Sequence, residues 1–216
     1  MKYGIGMKEI VIISDFDGTI VEEQVDFILF EKFGSSVWKE FENMRITGIL
    51  SYEDAMTGSV MSINATLKEL NSFALSHMTA RDGVEKFKIF CDEHDIPFFI
   101  ASAGLDFYIK LFLEKMKWKN VETYSPSITY NGHNYSIRFP SIPFSKANFV
   151  ETLKNKFSGK TIVFIGDGSL DIDAALCSDI TFARRKLSEM MQERKLPFYS
   201  FETFHEVKDK IMEIVN

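Results

Sequence analysis

Two kinds of segment alternate along the chain when only apolar and polar positions are read. The short runs EIVIIS (9–14), PFFIAS (97–102), TIVFIG (161–166) and ITFA (180–183) have the length and continuity of buried strands. Between them VEKFKIF (84–90), LDFYIKLFLEKM (105–116), KANFVETL (146–153) and DIDAALC (171–177) repeat apolar residues three and four apart, as amphipathic helices do. The alternation predicts an α/β chain, a Rossmann-like and mostly parallel sheet flanked by helices. Ligands of such sheets bind at the carboxyl ends of the strands.

Two stretches break the alternation. From 21 to 80 no strand-like run occurs; Val25, Ile28 and Leu29, then Val37, Phe41 and Met44, then Leu67, Leu70 and Phe73 fall at helical spacing. Strand-to-helix loops usually take about 2–6 residues, so this segment reads as a small helical domain inserted after the first strand and seated over the strand ends. It divides a core domain into residues 1–20 and 81–216. The second break, SITYNGHNYSIRF at 127–139, alternates apolar residues around Asn131-Gly132 and predicts a tight β-hairpin flap within the core.

At 216 residues and 45% hydrophobic content the chain can bury a substantial core. A net charge of −6 argues against a nucleic-acid face, which needs clustered Lys and Arg. The one basic run, Arg184-Arg185-Lys186, reads as a solvated helix start. No segment is long and apolar enough for a signal peptide or a membrane span. Cys91 and Cys177, far apart and without a CxxC, suit free thiols in a reducing compartment, so the cytoplasm is expected.

The chemistry concentrates where strand runs end. IVIIS is followed by Asp15-Phe16-Asp17-Gly18-Thr19, which puts two carboxylates at one strand exit. Like charges this close are costly unless a cation neutralises them, and an oxygen-only set suits a hard metal such as Mg²⁺. Ser102, Ala103 and Gly104 close the second run just before a helix, where a hydroxyl and free N–H groups suit a phosphate. Lys146 opens a later helix. In FIGDGSLD the strand TIVFIG ends in Asp167, and Asp171 follows four residues on. GKT at 159–161 is no P-loop, because it precedes a strand instead of a helix, and the four histidines lack the spacing of zinc ligands.

In order, D-x-D-G-T at 15–19, Ser102, Lys146 and G-D-x-x-x-D at 166–171 resemble the four motifs of the haloacid dehalogenase-like phosphatases, and the insertion resembles their helical cap. The resemblance implies a phosphomonoesterase acting on a small phosphorylated metabolite. Asp15 would be the nucleophile that forms an aspartyl-phosphate, and Asp17 the general acid and base. Mg²⁺ would be held by Asp15, Asp167 and Asp17, the last through its backbone carbonyl. Ser102, Ala103, Gly104 and Lys146 would bind the phosphoryl group, with Gly18, Thr19 and Asp171 in support.

YEDAM at 52–56 is similar to a cap segment of the phosphoserine phosphatase branch. That branch has a Glu where Gln24 stands and an Arg where Thr57 stands, so the charged clamp for phosphoserine is missing. ARDGVEKFKIFCDEHDIPFFIASAGLDFYI and IGDGSLDIDAALCSDITFARRKL are more similar to the methionine-salvage phosphatases. Glu23, Gln24 and Thr57 are the expected cap contacts to substrate. A phosphotransferase or phosphomutase, a phospho-accepting signalling domain and a non-catalytic binding protein remain as alternatives.

Overall fold

A computed structural model describes Gly6 and residues 9–215. Six strands form one parallel sheet: β1 (Ile10–Ser14), β2 (Phe98–Ala101), β3 (Glu122–Tyr124), β6 (Thr161–Gly166), β7 (Ile180–Ala183) and β8 (Tyr199–Ser200), in the order β3-β2-β1-β6-β7-β8. β1 lies at the centre, with Ile12 against Phe98 of β2 and Val163 of β6. All five of its residues are buried, as a strand covered on both faces requires.

Alternate β1 side chains feed two cores. Ile10 and Ile12 join one core with Phe87 of α5 (Val84–Glu93), Phe112 of α6 (Asp106–Met116) and Val207 of α10 (Phe204–Val215). Val11 and Ile13 join the other with Val150 of α7 (Lys146–Lys156), Ala174 of α8 (Ile172–Cys177) and Leu187 of α9 (Arg185–Glu193). The strand order reverses between β1 and β6, the switch point at which open α/β sheets place their ligands.

Between β1 and α5 run four helices, α1 (Val25–Phe33), α2 (Val37–Ile46), α3 (Tyr52–Met61) and α4 (Leu67–His77). Capping fixes two of the starts: the Ser51 hydroxyl accepts from the Asp54 N–H, and Thr66 with Glu69 forms a reciprocal capping box. The outgoing and returning chains meet at the foot of this segment. Val21 bridges Ala80, the Glu22 N–H donates to the Thr79 carbonyl (3.0 Å) and the Arg81 N–H to the Ile20 carbonyl (2.9 Å).

The antiparallel pair β4 (Ser127–Tyr130) and β5 (Tyr135–Arg138) has a four-residue loop instead of the expected tight turn. The Asn131 carboxamide oxygen accepts from the His133 and Asn134 N–H groups, which organises the wider loop. Tyr135 anchors the pair to the helical segment by donating to the Ala65 carbonyl at 2.9 Å. Among the described residues no helix is long and apolar enough to cross a membrane.

Candidate active site

The turn after β1 sets the geometry. The Asp15 N–H still donates to Ile165 of β6 (2.8 Å), after which the chain coils once through Phe16–Ile20. Phe16 is fully buried, its ring edge-on to Phe112 at 5.3 Å, and the carboxylates on either side of it line a cavity at the strand ends. Gly18 turns the backbone with φ 72°, and a Cβ there would sit 2.3 Å from Asp167 Oδ2 and 2.4 Å from Gln24 Nε2. Only glycine allows both the conformation and the approach.

Asp15 and Asp17 have different surroundings. Asp15 Oδ1 accepts from its neighbour's N–H (Phe16, 2.7 Å) and from Lys146 Nζ (2.7 Å). Lys146 also donates to Asp171 Oδ1 (2.6 Å), and Asp171 Oδ2 accepts the N–H groups of Asp167 (3.0 Å) and Gly168 (2.8 Å). Among the described residues the hydrogen-bond donors to Asp17 are neutral: the Val25 N–H at the start of α1 (2.9 Å), the Tyr108 hydroxyl (2.8 Å) and the Ser102 hydroxyl (3.2 Å). The Gly104 N–H in turn donates to Ser102 Oγ (2.9 Å), so the Ser102–Gly104 turn backs onto Asp17.

Burial dominates the electrostatics. It pushes Asp17 up to about 6, against the pull of the Tyr108, Val25 and Ser102 hydrogen bonds. Asp167 is also raised to about 6, first by burial and then by the Asp171 charge. Asp15 is held well above the usual carboxylate range by burial and Asp171, with Lys146 opposing. Burial works against the Lys146 charge, yet Asp15 and Asp171 hold this lysine above its ordinary value.

One carboxylate oxygen each from Asp15, Asp167 and Asp171 lies within 4.8 Å of the others. This buried, all-oxygen donor set fits a hard divalent cation. Asp171 spends both oxygens on Lys146 and the two amides, so Asp15 and Asp167 are the side chains with capacity to spare. The Asp17 side chain is turned to its three donors and stands outside the cluster. Thr19 donates to Asp167 Oδ1 over 3.4 Å.

The cavity has a volume of about 320 Å³ and lies between these strand ends and the helical segment, whose wall includes Phe27, Phe30, Trp38 and Met56. Gln24 and Asp26 line it, and so does the bidentate pair of Arg45 with Glu42, both bonds at 2.7 Å. Two expected cap contacts are absent from its lining. Glu23 accepts the Thr79 N–H (2.9 Å) at the foot of the segment, and Thr57 lies beside Met56 on α3 but away from the cavity.

The basic run 184–186 differs from the expected solvated helix start. Arg184 is buried, not solvated, and donates to the Gly18 carbonyl (3.0 Å) and to Glu202 (2.7 Å). Arg185 and Lys186 line the cavity, with Arg185 3.7 Å from Asp167. A charge run hides this because three adjacent residues leave a strand end in different directions. Tyr108 was missed for another reason: its position fits the apolar stripe of α6, and only the hydroxyl at Asp17 distinguishes it.

Residues 12–176 match the family model described as haloacid dehalogenase-like hydrolase. The chain belongs to this family. Within it the chain is similar in sequence to MtnX-like phosphatases and in fold to phosphoserine phosphatases. It is 27% identical over 96% of its length to the 2-hydroxy-3-keto-5-methylthiopentenyl-1-phosphate phosphatase of Bacillus pumilus, and covers 94% of that protein. It is 28% identical to the bifunctional enzyme MtnB/MtnX of Bacillus licheniformis, of which it spans half the length. Among solved structures, a phosphoserine phosphatase with a phospho-aspartyl intermediate analogue shares the fold, with a TM-score of 0.74 and 17% identity over 93% of this chain and 97% of that one.

Proposed function

We propose that the chain is a Mg²⁺-dependent phosphomonoesterase that works through an aspartyl-phosphate on Asp15. The observation that carries this reading is the division of labour between the two carboxylates. Asp15 bonds the Lys146 cation, which opposes the rise that burial and Asp171 impose on it, while Asp17 bonds neutral donors and is raised by burial to about 6. Two carboxyl groups in different surroundings, one bonded to a cation and one to neutral donors, are the usual basis of a nucleophile and acid pair.

In the first step an Asp15 oxygen attacks phosphorus, the bond to the leaving oxygen breaks, and the Asp17 carboxyl gives that oxygen its proton. In the second, water attacks the phosphoryl group, Asp17 takes its proton, and the bond to Asp15 breaks to release orthophosphate. Lys146 and the Ser102 hydroxyl, both at the carboxylates, would donate to the phosphoryl oxygens. Mg²⁺ held by Asp15, Asp167 and the Asp17 carbonyl, with Asp171 behind, would neutralise the clustered carboxylates and the substrate's own charge.

The substrate is a small phosphorylated metabolite with an apolar end, under a cap formed by residues 21–80. The aromatic and thioether wall of Phe27, Phe30, Trp38 and Met56 suits a methylthio tail, in keeping with the substrate named for the Bacillus relatives. Free phosphoserine is disfavoured because Gln24 is uncharged, Thr57 is off the cavity and Arg45 is already paired with Glu42.

The test is phosphate release from a panel of phosphomonoesters, with Mg²⁺ or chelator, by wild type and Asp15→Asn. Metal-dependent release that favours apolar substrates and vanishes in the variant is expected. Release that survives Asp15→Asn or ignores chelator would refute the mechanism.

A further inference from the structure

Two buried guanidinium groups converge on the turn that carries Asp17. Arg81 Nε donates to the Thr19 carbonyl at 2.7 Å and Arg81 Nη2 to the Gly18 carbonyl at 2.8 Å; Arg184 Nη1 reaches the same Gly18 carbonyl at 3.0 Å. Only 6% of Arg81 and 8% of Arg184 is exposed. The two arrive from different places, Arg81 from the return of the helical segment and Arg184 from the end of β7. With its N–H on the Ile20 carbonyl, Arg81 holds three consecutive carbonyls, 18 to 20.

The arrangement is electrostatically costly. Burial and the nearby Arg184 charge both weaken the Arg81 hold on its proton. Bridging relieves part of that cost: Arg184 pairs with Glu202, whose carbonyl accepts from Arg81 at 3.5 Å. A neutral donor could satisfy one carbonyl, but the planar fork of arginine satisfies two at a fixed separation. Within the turn the Val21 N–H closes onto the Phe16 carbonyl (3.1 Å) and the left-handed Gly18 donates its N–H to the Glu23 carbonyl (2.9 Å), so the Gly18 and Thr19 carbonyls are met by the arginines.

We propose that Arg81 and Arg184 are positioning residues that clamp the Gly18 and Thr19 carbonyls and so hold the Asp17 carboxyl at the leaving-group oxygen. The inference rests on Asp17 being the general acid. Arg81 also ties that acid to the root of the helical segment, so the placement of the segment and of the proton donor are set together.

The experiment compares kcat/KM for two substrate classes. An alkyl phosphate has a leaving oxygen that needs a proton; a nitrophenyl phosphate has one that departs largely unaided. Asp17→Asn is the benchmark, because general acid catalysis contributes about 10²–10⁴-fold and should be lost mainly on the alkyl substrate. Arg81→Met is expected to follow it, losing at least about tenfold on the alkyl phosphate and under about threefold on the aryl one, with Arg81→Lys partly restoring the alkyl rate. Arg184→Met, checked for a folded circular dichroism spectrum, repeats the test should Arg81→Met fail to fold. Equal losses on both substrates, or no loss, in the folded arginine variants would overturn the proposal. Equal losses in Asp17→Asn itself would instead remove the general-acid assignment, a result the arginine variants cannot produce.

Discussion

Stability of the metal-free protein should rise as the pH falls from 7 to 5, opposite to the behaviour of proteins held by salt-bridged carboxylates. Asp17 and Asp167 are raised from about 3.8 to about 6 on folding, chiefly by burial. The folded state then binds more protons than the unfolded chain in this window, so acidification favours it. For one such group the gain between pH 7 and 5 is about 1.3 kcal/mol, and for the two about 2.5 kcal/mol. Asp15 and Asp26 are raised as well and add in the same direction. Lys146, raised above the alkaline range, contributes equally at both pH values, and the lowered Glu69 loses its contribution only in more acid solution. At this chain length 2.5 kcal/mol corresponds to a melting temperature higher by about 5–10 °C. The assay is thermal unfolding in chelator at pH 5 and 7, repeated with saturating Mg²⁺. The metal prefers ionised carboxylates, so it should stabilise more at pH 7 and flatten the difference. Asp167→Asn should melt higher than wild type at pH 7 without metal and show a smaller pH effect. A melting temperature unchanged or lower at pH 5 in chelator would refute the account of a cluster strained by burial.

Three further outcomes are expected. Gly104→Ala places a Cβ 1.7 Å from the Tyr108 hydroxyl and 2.2 Å from Asp17 Oδ2, so kcat on alkyl phosphates should fall by about 10²-fold or more. Steady-state kinetics on folded protein checks this. Tyr108→Phe removes a donor that lowers the Asp17 pKa, so the alkaline fall in kcat/KM, expected near pH 6, should move to higher pH; an unshifted profile would contradict the contact. Trp38→Ala should reduce selectivity for substrates with apolar ends, whereas Thr57→Ala, off the cavity, should leave relative rates across the phosphomonoester panel unchanged.

The strand-end acids could be read from sequence because each follows an apolar run and sits beside a turn residue. Asp15 follows IVIIS, and Asp167 precedes Gly168 after TIVFIG. The same logic fails for the edge strands β3 and β8, whose residues ETY and YS include none that is buried and form no apolar run. It fails again for the cavity wall: Trp38, Glu42 and Arg45 occupy α2, which has no buried residue, and meet the site only through tertiary packing. Arg81 and Arg184 were invisible for a related reason. Their partners are backbone carbonyls, which carry no sequence signature, and 62 and 166 residues separate the bonded positions.

The parallel register of β1 with β6 has a consequence for how the protein is made. Ser14 faces Ile165, so the most apolar strand emerges from the ribosome long before its main partner exists. At about 5–20 residues per second the wait is roughly 8–30 s, during which IVIIS can shelter only against β2 and the helices already formed. Asp15 meets Lys146, Asp167 and Asp171 only at the end of that interval, so a nascent chain stopped before β6 carries the first acid motif without a metal site. Synthesis thus holds the chemistry back until the sheet can close around it.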